Sequence, residues 1–137
     1  MARIIAIDNG GKRTGLAVTD PLQIIASGLT TVPSGELISF LKNYFKQEEV
    51  ELIVIGEPKN WDETDTHATP LVAACIKSLQ KNFPNMPIVK VDERYTSKMA
   101  KQSMLESGMK KKDRRNKALV DEIAATIMLQ EYLGRSF

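Results

Sequence analysis

The stretch Arg3–Thr19, RIIAIDNGGKRTGLAVT, decides the fold of this chain. Arg3 to Asp8 is a short apolar run that ends in an acid, a pattern that indicates a buried strand. Asn9-Gly10-Gly11 is a strong turn signal, and Gly15 to Thr19 resumes the strand pattern. We therefore predict a β-hairpin whose first strand ends in a carboxylate.

Beyond the hairpin, the hydrophobic pattern switches between strand and helix periods. Turn residues separate the apolar runs, so each run is interpreted as one element. The predicted elements are a strand over Ile24 to Thr31, a helix from Pro33-Ser34 with Ser34 as its N-cap, a strand over Leu52 to Ile55, a helix over Pro70 to Asn82, a strand over Ile88 to Val91, a helix from Thr96 to about Ser107 and a final helix from about Asp113 to Leu133.

This order of elements predicts an α/β fold. Three consecutive strands followed by alternating helices and strands indicate a mixed sheet of about five strands with helices on both faces. The antiparallel part would be the hairpin region, and the later strands would be parallel. This is the element order of the ribonuclease H-like fold, although several other α/β folds have a similar order.

Composition narrows the class of protein. The chain has 137 residues, of which 42% are hydrophobic and 26% charged, as expected for one globular domain. It shows neither an apolar run long enough for a membrane span nor a secretory signal, so we expect a cytoplasmic protein. Cys75 is the one cysteine and is expected in the core rather than as a nucleophile, and the single His67 argues against a histidine-based zinc site or a Ser-His-Asp triad.

Basic residues are concentrated in one segment, Lys110–Lys117, which reads KKKDRRNK. Its six basic residues and one acid give it a charge of +5, which leaves −3 on the rest of a chain whose total is +2. A compact basic cluster on a mildly acidic body suggests a phosphate-rich partner. The alternative is a solvated loop and helix start.

Acidic residues fall where a site is expected. Asp8 ends the first predicted strand, and Asp92 and Glu93 end the last one. Sites in parallel sheets gather beyond the carboxyl ends of strands, so these side chains are expected to converge. Asp121 lies on the final helix, where a step of about 100° per residue places it within an apolar arc. A carboxylate on a face that packs against a sheet is costly unless it is paired or binds a metal.

Three carboxylates without histidine or cysteine partners favour a hard cation such as Mg²⁺ or Mn²⁺. Two such ions can activate a water and stabilise the leaving oxygen in phosphodiester cleavage. Each acid also has a structural interpretation: Asp8 as a cap of the Asn9-Gly10-Gly11 turn, Asp92 and Glu93 as partners of Arg94 or of a helix dipole, and Asp121 as a partner of Lys117 one turn back.

The glycine-rich turn is not a nucleotide-binding fingerprint. Walker A needs a lysine after its second spaced glycine, whereas Leu16 follows Gly15. The dinucleotide spacing is also missing. The strand, acid and glycine hairpin resembles the first phosphate motif of the actin, Hsp70 and sugar-kinase ATPases, but those proteins build their site between two such domains. The hairpin could instead lie beside a nucleic-acid backbone through Lys12 and Arg13.

Four ordered motifs resemble one family. They are IIAIDNGGKRTGLAVTDP at the start, LIVIGEPKNWD in the middle, VDERYTS, and KKKDRRNKALVDEIAATIMLQEYL near the end. Together they closely resemble the YqgF (RuvX) family of pre-16S rRNA nucleases, which is related to the RuvC Holliday-junction resolvases. The resemblance implies a ribonuclease H-like fold, a divalent-metal nuclease and a role in maturing the 5′ end of 16S rRNA. Carried over by position, the implied metal-binding acids are Asp8, Glu93 and Asp121, with Asp92 adjacent.

Two positions depart from the family pattern. Asn9 stands where the family commonly has an aromatic residue, and Glu57 stands where it often has an apolar one. Because related resolvases place an acid at the end of that strand, Glu57 is either a further ligand or a solvent-facing side chain.

Three functions follow as candidates. The first is a metal-dependent RNase acting on precursor rRNA, the second is a resolvase of four-way DNA, expected as a symmetric dimer, and the third is a nucleic-acid-binding factor that does not cleave. The chain itself would be a monomer or a homodimer. The residues expected to contact the phosphate backbone are Lys12, Arg13, Arg94, Lys110, Lys111, Lys112, Arg114 and Arg115.

Overall fold

The computed structural model describes residues 2–57, 69–92, 102, 105 and 116–135 of the chain. The continuous elements in these residues are five strands, a short 3-10 helix at Ser34–Glu36 and three longer helices. Their bounds are β1 (Arg3–Asn9), β2 (Arg13–Thr19), β3 (Ala26–Pro33), α1 (Leu37–Gln47), β4 (Val50–Glu57), α2 (Thr69–Asn82), β5 (Ile88–Asp92) and α3 (Lys117–Arg135).

The strands form one mixed sheet in the order β3-β2-β1-β4-β5. β2 is antiparallel to both β1 and β3, whereas β4 is parallel to both β1 and β5. The antiparallel half is therefore the hairpin region, and the parallel half follows from the helical connections, as the sequence predicts.

One face of the sheet packs against α1 and α2. Alternate residues of each strand supply it, such as Ile5 and Ile7 of β1 and Ile53 and Ile55 of β4, all fully buried. Leu41 from α1 meets them in the same core. Large aliphatic side chains from the strands fill this layer.

The other face packs against α3. Here the strands present smaller side chains, including Ala6 of β1 and Ala17 of β2, while α3 contributes Met128 and Leu129. Helices therefore cover both faces, and the predicted layering is confirmed. Small residues on the strands let α3 lie close to the sheet.

Gly15 and Gly28 mark where α3 lies closest to the sheet. A Cβ atom built on Gly15 would overlap the backbone carbonyl of Asp121. A Cβ on Gly28 would lie 2.5 Å from Oε1 of Glu122. Helix backbone thus rests directly on strand backbone at Gly15, and no other residue type fits there without moving α3.

The structure corrects two predicted element starts. A helical turn does begin at Ser34, but it is the 3-10 helix that precedes α1, its N-cap is Pro33, and the Ser34 hydroxyl donates to the carbonyl of Gly10 at 2.6 Å instead of capping. The third strand begins at Ala26 rather than Ile24, because the carboxylate of Asp20 binds the amides of Ile24 and Ile25 in the preceding loop. At Ser34 a contact with a residue 24 positions away takes the hydroxyl that local propensity assigns to a cap, whereas at Ile24 a loop contact within five residues delays the strand.

The final helix begins at Lys117, later than the predicted Asp113. Asn116 is its N-cap, since Oδ1 accepts from the amides of Ala118 and Leu119 at 3.1 and 3.3 Å. The predicted helix from Thr96 to Ser107 lies outside the described residues except for Gln102 and Leu105, both helical. In the part of the chain that is described, no helix has the length and hydrophobicity needed to cross a membrane.

Candidate functional site

Asp8 lies near the carboxyl end of β1, beside the hairpin turn. The turn is closed by the amide of Gly10, which donates to the carbonyl of Arg13 at 2.8 Å. Asp8 pairs across the hairpin with Gly15. The alternation of β1 places Asp8 on the same face as Ile4 and Ala6, which is the face that α3 covers.

Asp121 is brought to the same edge by α3. Its backbone lies on Gly15, the residue paired with Asp8. The helix is fixed at this height by Thr31 of β3, whose hydroxyl donates to the carbonyl of Ala118 at 2.6 Å. Two of the predicted acids, 113 residues apart in sequence by their numbers, are therefore neighbours across one glycine.

Asp121 forms an ion pair with Arg13. Nε of Arg13 donates to Oδ2 of Asp121 at 3.0 Å, and the two side chains are 37% and 25% exposed. Lys117 was the partner that spacing along the helix suggested, and that interpretation is wrong because β2 offers a closer guanidinium across the packed face. Val120 and Ala124 on the same helix are buried, so Asp121 lies at the open margin of the apolar face.

Glu57 lies on the opposite face. The alternation of β4 groups it with Ile53 and Ile55, which face α1 and α2. Its Oε2 lies 3.3 Å from Nζ of Lys90 on the neighbouring strand, and its side chain is 18% exposed. Glu57 is therefore neither the solvent-facing side chain nor a neighbour of Asp8 and Asp121 on the α3 face.

Of the other predicted site residues, the structure describes Lys12 and the backbone of Asp92. The backbone of Asp92 pairs with Glu57, and Glu93 follows it in sequence. Within the described ranges no group of three or more histidine, cysteine or acidic residues is arranged to hold a metal. The structure describes Asp8 and Asp121 but not Glu93, so the convergence of the three acids stays a prediction. Outside the description lie Glu93, Arg94, Lys110, Lys111, Lys112, Arg114 and Arg115.

The hairpin turn is braced on the α1 and α2 side by a polar network that the sequence did not reveal. Buried Thr14 donates to Oδ1 of Asn9 at 3.0 Å and lies 2.9 Å from the hydroxyl of Ser34. The departure at Asn9 thus has a local reason, because an amide there binds the strand facing it. In the sequence, the only sign of this network is that two polar residues, Asn9 and Thr14, flank the hairpin turn.

A cavity of about 240 Å³ lies between this network and the two helices, on the face away from Asp121. Cys75 lines it and is half-buried. Burial raises the pKa of the Cys75 thiol to about 11, so the thiol stays protonated near neutral pH. This agrees with the prediction that Cys75 is not a nucleophile.

The carboxylates on the α3 face suit a hard divalent cation. Asp8 and Asp121 supply oxygen donors, the ligand type that Mg²⁺ and Mn²⁺ prefer. Asp121 already binds a positive group, the guanidinium of Arg13. The donor chemistry present therefore fits the metal that the sequence predicts.

A model of the RuvX family, described as Holliday junction resolvase, matches residues 2–135. This chain belongs to the RuvX family. A relative from Christiangramia forsetii is 59% identical over 133 residues, covering 97% of this chain and 98% of the relative. One from Flavobacterium psychrophilum is 57% identical over 135 residues, covering 98% of each. Both relatives are named "putative pre-16S rRNA nuclease".

Solved structures agree on the fold. The RuvC of Thermus thermophilus, in complex with a Holliday junction substrate, has a TM-score of 0.57 to this chain at 16% identity and covers 99% of it and 96% of RuvC. A second RuvC structure from Thermus thermophilus has a TM-score of 0.56 at 15% identity, covering 98% and 96%. The predicted family and the predicted ribonuclease H-like fold are both confirmed, and nuclease is the activity for which the relatives are named.

Proposed function

We propose that this protein is a metal-dependent nuclease that hydrolyses a phosphodiester bond in precursor rRNA, at the 5′ end of 16S rRNA. One observation carries the proposal: α3 rests on Gly15, the pairing partner of Asp8, and so brings Asp121 to the edge where Asp8 lies. The names of the relatives supply the substrate. We place the activity in the cytoplasm, as a single nuclease domain.

Asp8, Glu93 and Asp121 would hold one or two Mg²⁺ or Mn²⁺ ions. When bound, these ions activate water for attack on the phosphate and stabilise the leaving oxygen. The chain supplies position: Asp8 is fixed by the hairpin, Asp121 by the seat of α3 on Gly15, and Glu93 follows the last residue of β5 in sequence.

Phosphate contacts would come from basic residues of the hairpin and of the stretch of sequence that follows β5. Lys12 lies exposed at the tip of the hairpin, two turn residues beyond Asn9. Such contacts fix the position of a nucleic acid without reading its sequence. The rest of the proposed contact set is Arg13, Arg94, Lys110, Lys111, Lys112, Arg114 and Arg115.

The test is a cleavage assay with precursor 16S rRNA in Mg²⁺, Mn²⁺ or EDTA. Asp8→Asn and Asp121→Asn are expected to lower the rate by about 100-fold or more, since loss of even an outer partner of a metal ligand costs about 10- to 100-fold. Glu131→Gln is the matched control, an exposed acid of the same helix. Cleavage that survives EDTA, or that both asparagine variants retain, contradicts the proposal.

A four-way DNA junction belongs in the same assay, because the family model is described as a Holliday junction resolvase. Faster cleavage of the junction than of the rRNA, by a dimeric species, would assign the chain to the resolvase alternative. Binding of either substrate without metal-dependent cleavage would assign it to the non-catalytic alternative. Sedimentation of the protein with each substrate distinguishes monomer from homodimer.

A further inference from the structure

The ion pair between Arg13 and Asp121 is a contact that the proposed reaction does not explain. Arg13 begins β2, directly after the hairpin turn, and its alternation with Gly15 and Ala17 places it on the α3 face. Its Nε donates to Oδ2 of Asp121 at 3.0 Å. A permanent cation therefore occupies an oxygen of a proposed metal ligand.

Contacts other than this pair also hold α3 and the hairpin in place. The seat of α3 is fixed by its backbone contact with Gly15 and by the hydrogen bond from Thr31 to the carbonyl of Ala118. The hairpin is fixed separately, because its backbone also binds Ser34, whose amide donates to the carbonyl of Lys12 at 3.0 Å. Ion pairs as exposed as this one contribute little to stability.

The electrostatics point to competition. A divalent cation at Asp121 would face the positive charge of Arg13 at contact distance, and like charges repel. An arginine guanidinium cannot be deprotonated in proteins. The pair therefore breaks only when another cation replaces Arg13 at Asp121 or another anion replaces Asp121 at Arg13. The planar fork of arginine binds phosphate with two parallel hydrogen bonds, which makes the substrate backbone that anion.

We propose that Arg13 is a placeholder cation: it neutralises Asp121 until a divalent cation binds there, and it then pairs with a phosphate of the bound nucleic acid. The proposal rests on the proposed function, because it needs the cation at Asp121. Arg13 thereby couples metal loading to substrate binding. No covalent step is involved, only an exchange of ion pairs.

Thermal melting with increasing Mn²⁺ tests the first half of the exchange. Arg13→Gln keeps a polar side chain and removes the charge, so the Mn²⁺ concentration needed for a given rise in Tm is expected to fall about tenfold, the order of the repulsion between charges about 4 Å apart in water. Arg3→Gln is the matched control. Arg3 forms a pair of similar geometry with Glu48, 3.2 Å from Nε to Oε2, at the other end of the sheet.

Cleavage at saturating Mn²⁺ tests the second half. Arg13→Gln is expected to slow cleavage of precursor rRNA about 10- to 100-fold, the value of one hydrogen bond to a charged group. Arg13→Lys keeps the charge and loses the fork, so its Mn²⁺ response should match the wild type while its cleavage is slower. In an Asp121→Asn background, Arg13→Gln should leave the Mn²⁺ response unchanged.

The failures are distinguishable. A wild type whose Tm does not respond to Mn²⁺ overturns the proposed function, and the exchange with it. A wild-type response that Arg13→Gln leaves equal or weakens overturns the exchange alone and makes Arg13 an orienting partner of Asp121. A tightened response with unchanged cleavage refutes the phosphate contact. If Arg13→Gln does not fold, Arg13→Lys serves in its place, and wild-type cleavage by that variant overturns the proposed phosphate contact.

Discussion

An aspartate lies at each end of β2, and the two carboxylates have different hydrogen-bond donors. Asp20 follows the last residue of β2, and its carboxylate accepts from three backbone amides, those of Leu22, Ile24 and Ile25, at 3.1, 2.8 and 2.7 Å. Asp121 lies at the other end, where Arg13 is its one hydrogen-bond donor among the described residues.

This difference separates a structural acid from an exchangeable one. Backbone amides cannot leave Asp20 without unfolding the loop, and hydrogen bonds from the amide of Ile25 and then from Ile24 and Leu22 hold the pKa of Asp20 below its usual value of 3.8. A side-chain donor such as Arg13 can rotate away at little cost. Both residues are aspartates, so what distinguishes them is the donor. A carboxylate bound by a side chain is available to a cation, and one bound by backbone amides is not.

The largest effect on stability is expected where α3 touches β2. Gly15→Ala places a methyl group against the carbonyl of Asp121, so α3 must shift, and the free energy of unfolding should fall by about 1–3 kcal/mol or more. Gly35→Ala is the matched control, because nothing lies within 4 Å of its Cβ position. Urea denaturation measures both. Equal stability of the two variants would show that Asp121 is not seated on Gly15.

The hydrogen bond from Thr31 to Ala118 should contribute about 1 kcal/mol to the free energy of unfolding. Thr31→Val removes the donor and keeps the shape, and Thr30→Val repeats the change at the preceding residue of β3. Only the first should lower the midpoint of urea denaturation. Equal midpoints would mean that α3 holds its place through apolar packing alone.

A pH effect tests the structural role of Asp20. Because its folded pKa is lowered, ionised Asp20 stabilises the fold above pH 3.8, and this stabilisation is lost as pH falls through the folded pKa. Asp20→Asn should therefore be less stable than the wild type at pH 7, and the gap should shrink below about pH 4. Glu36→Gln, at an exposed acid, is the control. A gap that stays constant with pH contradicts the amide-bound carboxylate.

The smallest effect on stability is expected from the basic cluster Lys110–Lys117, which leads into α3. Replacing Lys110, Lys111 and Lys112 with alanine should weaken RNA binding and reduce its salt dependence by roughly one unit of slope for each phosphate that the protein no longer neutralises. Tm should change little. Asp20→Asn should leave the slope unchanged, since it lies at the other end of β2. An unchanged slope in the lysine variant would assign the cluster to a solvated face.

Much of the fold follows from local patterns in the chain. The hairpin, the strands around Leu52–Ile55 and Ile88–Val91 and the helix over residues 70–82 are each marked by apolar runs between turn residues, because backbone geometry repeats over a few neighbours. Asp8 could be placed at the end of a strand for the same reason. The four motifs identified the family, which the family model confirms.

Only the tertiary structure determined which groups meet across these elements. Spacing along one helix suggested Lys117 as the partner of Asp121, whereas packing against the sheet supplied Arg13. Alternation along a strand separates Glu57 from Asp8, although both lie at carboxyl ends of neighbouring parallel strands. Local sequence encodes periodicity and turns, but a contact between distant residues depends on how closely two backbones approach, and here a single glycine, Gly15, sets that distance.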